Sequence, residues 1–474
     1  MIFLGVHFVF LATDVLLFAL MTAIVAYAVY ACRQEHLRAP WREVARRPLG
    51  MAAAVLIAVY AAIALLDSIH FFPRFEHEGK EILGAEAISL FDVLVMPLKT
   101  HVESTYSAPL AAYAYEKESV DLPGGGIARE YPRLRHGGAH LRDPAAEHAR
   151  DLRWHFARGI ALGAVAWGGI VAMVTLGIAR RRACSLSAAA AHLAAGRGSL
   201  PWRAMLAVAA ALCGAAGLIA ALGPDYHVFG TDKIGTDVLY QTLKSIRTGL
   251  VIGTLTTVVM LPLAFVLGVV AGYFRGWVDD LIQYLYTTLS SIPGVLLIAA
   301  AALVLQVHMA KHADRFGSLA ARADLRLLAL CLILGLTGWT GLCRLLRGEA
   351  MKLREVEFVD AARALGVRDA AILARHLAPN VMHIVMISVV LDFSGLVLAE
   401  AALTYINIGV DPSMESWGNM INGARLELAR EPIVWWPLAA AFCFMFALVL
   451  AANLFADAVR DAFDPRLRHA PDGA

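Results

Sequence analysis

The sequence has few charged residues and no closely spaced pair of cysteines. Charged residues make up 17% of its 474 residues, against 59% hydrophobic residues, and the mean hydropathy is +0.63. A soluble globular chain carries about 25% charged residues, so this composition indicates a polytopic membrane protein. The six cysteines include no CxxC pair, which argues against a disulfide framework or a zinc knuckle. The formal net charge is only +2 and the arginines form short clusters beside apolar runs, so we expect no nucleic-acid partner.

The motifs of ATP hydrolysis and of metalloenzymes are also missing. The Gly79-Lys80 pair lacks the upstream glycine and the following Ser or Thr of a phosphate-binding loop. The segment HEGKE at 77–81 is not HExxH, and His136 and His140 flank two glycines that would disrupt a helix face. We therefore expect no catalytic residue, no cofactor and no metal site, and any ATP hydrolysis must be done by another chain.

Nine segments are apolar over about 20 residues, the length that spans a bilayer as a helix. They lie near residues 6–31, 49–69, 155–179, 204–222, 249–273, 279–305, 325–346, 381–408 and 433–458. The first has no basic start and no small-residue cleavage site, so we interpret it as a retained span and not as a signal peptide.

Two arginine clusters predict the orientation of these spans. Five arginines lie in the loop 33–48 and three at 180–182, and such clusters favour the cytoplasmic side. This places the N-terminus outside and the C-terminus inside. It also predicts that the polar insertion 70–154 is a solvated, partly flexible extracytoplasmic loop, and that the loop 347–380 is cytoplasmic.

A charged segment, FVDAARALGVRDAAILARHLAPN at 358–380, lies between two apolar spans. Its small and apolar residues from Phe358 to Leu365 recur at spacings of three, one and three, which predicts a short amphipathic helix. Gly366 follows, where a glycine suits a left-handed helix stop. The alternative is a basic loop that merely obeys the positive-inside rule.

A second short helix is expected directly after this stop. Asp369 is placed to cap or charge its N-terminus, and it would run through Arg375. Pro379 suits the first turn of the span that follows. The segment therefore predicts two short cytoplasmic helices joined by a fixed turn.

The spacing of this segment resembles the cytoplasmic loop of permease subunits of binding-protein-dependent ABC importers. The motif reads Asp360-Ala361-Ala362, then Gly366, then Pro379 thirteen positions later, with Asp360 where the family usually has Glu. Other segments resemble the dipeptide, oligopeptide and nickel group, and within it the second of the two paired permeases; they are 227–250, 271–297, 398–410, 416–421 and 455–468. The resemblance covers about residues 201–468.

The nine apolar segments and the resemblance together predict an all-α membrane bundle of about nine spans, although the resemblance says nothing of residues 1–200. A six-span permease core at 201–474, with a coupling loop at about 347–380, would follow an N-terminal extension, 1–200, that adds three spans. The implied protein is a non-catalytic, multi-pass subunit of the bacterial cytoplasmic membrane that imports a peptide or a similar small solute. Its implied partners are a second permease, two ATPase subunits, an extracytoplasmic solute-binding protein and the lipid bilayer. The residues implied in ATPase coupling are Asp360, Ala361, Ala362, Arg363, Gly366, Arg368, Arg375, His376 and Pro379.

The translocation path is predicted from polar groups inside spans, which are costly there and mark functional sites. Asp392 and Glu400 lie eight residues apart in the eighth apolar segment, and Asn407 follows them. Interhelical hydrogen bonding without cargo contact is the alternative for the two carboxylates. For the whole chain, the alternative is a membrane scaffold or sensor that uses residues 1–200 to bind an envelope partner.

Overall fold

The computed structural model describes residues 6–77, 80–83, 87–121, 127–196, 198, 200–312 and 318–463. Part of the HEGKE segment, the Pro-Gly-Gly-Gly run at 123–126 and the C-terminal tail from 464 lie outside the described residues. Helices dominate the described chain; they are α1 Ala12–Arg33, α2 Glu35–Val44, α3 Pro48–Asp67, α4 Leu90–Leu94, α5 Met96–Thr100, α6 Pro144–Arg182, α7 Leu186–Ala195, α8 Trp202–Leu222, α9 Val238–Phe274, α10 Gly276–Ser291, α11 Gly294–Lys311, α12 Leu319–Gly338, α13 Thr340–Leu353, α14 Glu357–Ala364, α15 Asp369–Ile372, α16 Ala378–Tyr405, α17 Trp417–Glu427 and α18 Trp436–Phe463.

Eight helical segments among the described residues are long and apolar enough to cross a membrane. They are α1, α3, α6, α8, α9, α11, the continuous segment Asp369–Tyr405 that contains α15 and α16, and α18. Three of them fall within residues 1–200, so the extra N-terminal spans are confirmed together with the predicted helical membrane fold.

Two predicted spans differ in detail. The segment 279–305 is divided between α10 and α11 because Pro293 forces the preceding residue out of the helical conformation, and Ile292 is extended. The segment 325–346 falls on α12 and α13, which meet at Trp339. Helix α12 carries three charged residues near its start, Arg322, Asp324 and Arg326, so it lacks the long, nearly uncharged stretch that each of the eight spans has.

The polar insertion is more ordered than a flexible loop. Short strands lie in it and at the N-terminus: β1 Val6–Val9, β2 His70–His77, β3 Lys80–Leu83, β4 Ile88–Ser89, β5 Glu118–Asp121 and β6 Ile127–Glu130. Strand β2 pairs antiparallel with β1, β3 and β4, and β5 pairs antiparallel with β6. The span predicted at 155–179 is also longer than expected, because α6 begins within the insertion at Pro144.

The chain divides into two compact units. One contains residues 1–9, 45–247 and 415–448, and the other contains 10–44, 248–414 and 449–474. These compact units do not coincide with the predicted domains 1–200 and 201–474. The predicted boundary marks where the family resemblance begins, and it stays a prediction.

In the first unit, α6 packs against α8 through glycines. A Cβ added at Gly163 would lie 2.7 Å from the Cys213 carbonyl oxygen, and one at Gly159 would lie 2.9 Å from the Leu218 Cα atom. The Gly-x-x-x-Gly spacing of Gly159 and Gly163 is the pattern that lets two helix backbones approach closely in a membrane. A larger side chain at either position would force these helices apart.

The core of the second unit reaches into the charged segment at 358–380. Val359, Ile372 and Leu377 are fully buried there, packed with Leu346 and Ala350 of α13. Burying a side chain of this size contributes about 1.5–3 kcal/mol, so the segment is held on its inner face by ordinary apolar packing.

Candidate functional site

The helix-turn-helix predicted around Gly366 is present. Helix α14 ends with Gly366 at a φ of 73°, the left-handed conformation that glycine adopts without strain. The Val367 N–H donates to the Ala362 carbonyl at 3.1 Å, and the Gly366 N–H donates to the Arg363 carbonyl at 2.9 Å. These two bonds form a Schellman stop, which satisfies carbonyls that the helix end leaves free and fixes the turn.

A tyrosine from the end of α9 ties the two halves of the segment together. The Tyr273 hydroxyl donates to the Asp369 carboxylate at 2.5 Å. The Arg363 guanidinium lies 4.9 Å from the centre of the same ring and its Nε donates to the Tyr273 oxygen at 3.4 Å. Arg363 also contacts Asp360 at 3.4 Å, one turn back on α14. Asp369 accepts the tyrosine hydrogen bond and lies in the first turn of α15, so it places a negative charge at this helix start, which is one of its two predicted roles. The capping alternative is wrong, because the N-cap residue of α15 is Arg368.

The second half of the segment is one continuous helical run. Helix α15 passes into a π-helical turn, Leu373–Leu377, and then into α16. Pro379 lies in the first turn of α16, as predicted. The His376 ring is half-buried and lies 6.0 Å from the Phe358 ring, whereas Arg375 is exposed.

The outer face of the segment is apolar and uncovered. Leu365 is 83% exposed, and Phe358 and Val367 are 41% and 37% exposed. Ala361 and Arg368 are exposed beside them. We call these five residues the outer face. The two alanines of the motif thus differ in surroundings: Ala361 belongs to the outer face, and Ala362 is buried in the core.

Two ion pairs near this segment are not predicted by any motif in the sequence. Arg347 of α13 donates to both oxygens of Asp279 in α10, at 2.5 and 2.7 Å. Arg275 contacts Glu355 at 2.5 Å. The first is a bidentate pair of the geometry that Arg favours, and it joins α10 to the helix that leads into the segment.

The three predicted path residues have different surroundings. Glu400 is 1% exposed and accepts a hydrogen bond from the Thr404 hydroxyl at 2.9 Å, within its own helix. Asp392, two turns earlier on α16, is only half-buried. Asn407 lies beyond the end of α16, exposed, with a φ of 63°. The structure therefore does not bring the three side chains to one surface.

A buried polar group in the first unit was missed by sequence reasoning. The Glu103 carboxylate accepts hydrogen bonds from the backbone N–H groups of Arg135, His136 and Gly137, at 2.8 to 3.1 Å. The His227 ring lies 3.4 Å from Glu103 and 2.8 Å from Asp237. Burial alone would raise the pKa of Glu103, but the hydrogen bonds from His227 and the three N–H groups lower it to about 2.

A second buried group gathers around Asp92. Lys99 and Lys244 each donate to this carboxylate, at 2.8 and 2.6 Å, and the Tyr240 hydroxyl donates at 3.0 Å. Burial would raise the pKa of Asp92, but the two ammonium groups hold it well below its usual range. The clusters around Glu103 and Asp92 both join the polar insertion to the segment 227–250. Sequence patterns singled out that segment only for its family resemblance and predicted no role for its polar residues.

Known proteins are similar in sequence to the C-terminal half of this chain. Residues 264–469 match the family described as binding-protein-dependent transport system inner membrane component. The chain is 30% identical over 242 residues to the oligopeptide transport system permease protein OppC of Mycobacterium tuberculosis, which covers 51% of this chain and 77% of that protein.

Other relatives are permeases named for different cargoes. The glutathione transport system permease protein GsiD of Pectobacterium atrosepticum is 28% identical over 243 residues, covering 51% of this chain and 73% of that protein. The dipeptide transport system permease protein DppC of Lactococcus lactis is 29% identical over 242 residues, covering 51% and 64%.

The helical membrane fold and these matches define a transmembrane transport protein. The chain belongs to the family of binding-protein-dependent transport system inner membrane components. It is a permease subunit of an ABC importer, a family whose members are not themselves the catalytic chains.

Proposed function

We propose that the outer face of the segment 358–368 docks on a cytoplasmic ATPase subunit and couples ATP-driven motion to transport. The observation that carries this proposal is the contrast between the inner and outer faces of the segment 358–368, which contains most of α14 and the turn after it. Its inner face is locked in the core by Val359 and Ala362, while Phe358, Leu365 and Val367 are left uncovered. An uncovered apolar patch of this kind marks an interaction surface more often than a solvated one.

The inner contacts supply the stiffness that coupling needs. A rigid-body movement of a partner passes through packed elements that do not deform. The Schellman turn at Gly366 fixes α14 relative to α15, and Tyr273 links both to the end of α9. A push on Leu365 would therefore move α9 and α16 with the segment.

The charged residues around the outer face give the interface its polar rim. Arg368 and Arg375 are exposed, and Arg363 is held near Asp360. Exposed arginines in and beside an apolar patch favour a partner cleft with acidic side chains.

The relatives' names support a peptide as cargo and partners of the usual importer kind. Oligopeptide, dipeptide and glutathione permeases are all matched over about half of this chain. We propose that this chain pairs with a second permease, receives a peptide or similar solute from an extracytoplasmic binding protein, and depends on two ATPase subunits. The proposed orientation has the N-terminus outside and the C-terminus inside a bacterial cytoplasmic membrane.

Of the path candidates, Asp392 has the surroundings that suit contact with cargo. It is half-buried on α16, while Glu400 is enclosed and bonded to Thr404 within the helix. A half-buried carboxylate in a span can meet the cationic amino terminus of a peptide, and an enclosed one serves helix packing.

The docking proposal is tested with Leu365→Asp in the complete transporter, purified from its native membrane with mass spectrometry of the co-purifying chains. Leu365 is 83% exposed, so the change leaves the core intact and adds only a charge to the outer face. The matched control is Leu426→Asp, since Leu426 is 68% exposed and lies in α17, which the proposed orientation places outside the cytoplasmic membrane.

We expect the ATPase subunits to be lost from Leu365→Asp and kept in Leu426→Asp, with the second permease retained in both. ATPases that co-purify equally with both variants would overturn the docking proposal. Recovery of the wild-type chain with unrelated envelope proteins alone would instead favour the scaffold or sensor alternative.

A further inference from the structure

The polar insertion carries a cluster of histidine and aspartate side chains where it meets α6. His140 of the insertion faces Asp151 and His155, which are one turn apart on α6. One ligand atom from each of the three lies within 4.8 Å of the others. The Asp225 carboxylate lies beside them, 3.7 Å from His140 and 3.8 Å from His155.

The distances between these ligand atoms are also compatible with a tetrahedral metal, although His140 and Asp151 are within hydrogen-bond distance of each other. Two ligand atoms that each lie about 2.1 Å from a tetrahedral zinc ion are about 3.4 Å apart. The Nε2 atoms of His140 and His155 lie 3.0 and 3.6 Å from Asp151 Oδ2, on either side of that value. The longer separation exceeds that of a hydrogen bond, although both rings point at the same oxygen.

The His155 ring is already oriented as a metal ligand. Its side chain is 8% exposed, and its Nδ1 lies 2.8 Å from the Ala221 carbonyl oxygen at the end of α8. A carbonyl oxygen can only accept a hydrogen bond, so Nδ1 carries a hydrogen, and Nε2 is the nitrogen that faces Asp151 and Asp225. Metal-binding histidines are commonly fixed in this way by a carbonyl behind the ring.

The other two ligands are also held in place by neighbouring groups. The Tyr226 hydroxyl donates to Asp151 Oδ2 at 2.6 Å. Arg133 Nη2 contacts the carbonyl oxygens of Gly138 and Ala139, both at 3.1 Å, and that of Leu141, so the backbone that carries His140 is braced. His140 is itself 38% exposed, which leaves an entry path from solvent.

We propose that His140, Asp151 and His155 bind a zinc ion that fastens the insertion to α6. Two neutral imidazoles and carboxylate oxygens are a donor set for zinc, and the adjacent Asp225 brings the local charge of the carboxylates to balance that of a divalent ion. Sequence patterns do not predict this site because the ligands are eleven and four residues apart and come from two elements. The proposal is independent of the transport function.

The test is zinc binding to the purified full-length chain, measured by competition with a chromophoric chelator after metal removal, together with the visible spectrum of added Co²⁺. We expect one equivalent of tight binding and a tetrahedral Co²⁺ spectrum without thiolate charge transfer. His140→Gln should weaken zinc affinity by about 100-fold or more, since even loss of an outer partner weakens metal sites by about 10–100-fold. Tyr226→Phe, which removes only such a partner, should weaken it by about 10-fold.

The matched control is His136→Gln, which changes a histidine of the same insertion whose ring stacks on His101 and lies outside the cluster. Its zinc affinity should equal that of the wild type. The proposal is overturned if the wild type binds no zinc equivalent, or if His140→Gln and His136→Gln bind alike; the cluster is then a hydrogen-bonded group without a metal.

Discussion

Substitution of Gly366 separates backbone strain from steric effects in the proposed coupling segment. The residue has a φ of 73°, and a Cβ added there would meet nothing within 4 Å. An alanine therefore costs only the left-handed conformation, about 1–2 kcal/mol, while asparagine tolerates that conformation better and valine tolerates it worse. The expected order of loss is valine, then alanine, then asparagine.

Hydrogen exchange measures this cost where it arises. The Val367 N–H is bonded across the turn to Ala362, so its exchange reports opening of the Schellman stop. A cost of 1 kcal/mol corresponds to about a fivefold increase in exchange through local opening. We expect about 5- to 30-fold faster exchange in the peptide 358–368 of Gly366→Ala, a smaller increase in Gly366→Asn, and transport that declines in the same order.

The matched control is Gly276→Ala. Gly276 also has a positive φ, 57°, and an open Cβ position. An alanine at this position would therefore carry similar backbone strain, but outside the segment 358–368. It should leave exchange at 358–368 unchanged. Equal effects of alanine and asparagine at 366, or an effect of Gly276→Ala as large as that of Gly366→Ala, would refute the reasoning.

Two further predictions concern the first unit. Gly163→Leu should lower the unfolding temperature of the detergent-solubilised protein, because the leucine side chain would meet the backbone of α8 and overpacking costs about 1–3 kcal/mol. The control Gly168→Leu has open space around its Cβ and should leave the unfolding temperature unchanged. An equal fall in unfolding temperature in both variants would contradict the close packing of α6 on α8. His227→Gln should destabilise the protein in a pH-dependent way. Burial alone would lower the pKa of His227, but its contacts with Asp237 and Glu103 raise it to about 9, above the usual 6.5. The charged ring therefore stabilises the fold fully below about pH 6.5, by about 3 kcal/mol at 1.36 kcal/mol for each pKa unit, and that stabilisation is lost as pH rises through 9. The difference in unfolding temperature between wild type and variant should shrink over this range, and a constant difference would refute the assignment.

Local patterns predicted the charged segment well because its determinants are close in sequence. The offset between the Asp-Ala-Ala motif and Gly366 specifies a helix and its stop within one short stretch, and Pro379 marks the first turn of the next helix. The exposed Leu365 beside buried Ala362 was not predicted, because helical spacing alone does not say which face is covered.

Other features depend on partners far apart in the chain. Glu103 meets backbone groups about 32 residues away and a ring 124 residues away, so no window of sequence contains the group. The division at Pro293 was missed because counting apolar residues gives no weight to the conformation that proline imposes on its neighbour. The polar insertion was predicted to be a loop because its sequence has no regular spacing of apolar residues. Its order comes instead from buried ion pairs and short paired strands, which leave no such pattern in the sequence.

Site-specific photocrosslinking from position 365 tests the central claim most directly. A photoreactive residue at 365 in the assembled transporter should yield one crosslinked product with an ATPase subunit, and the same residue at 426 should yield none. No ATPase product from 365, with expression and membrane insertion equal to those of the 426 variant, would contradict the assignment of 358–368 as the coupling surface.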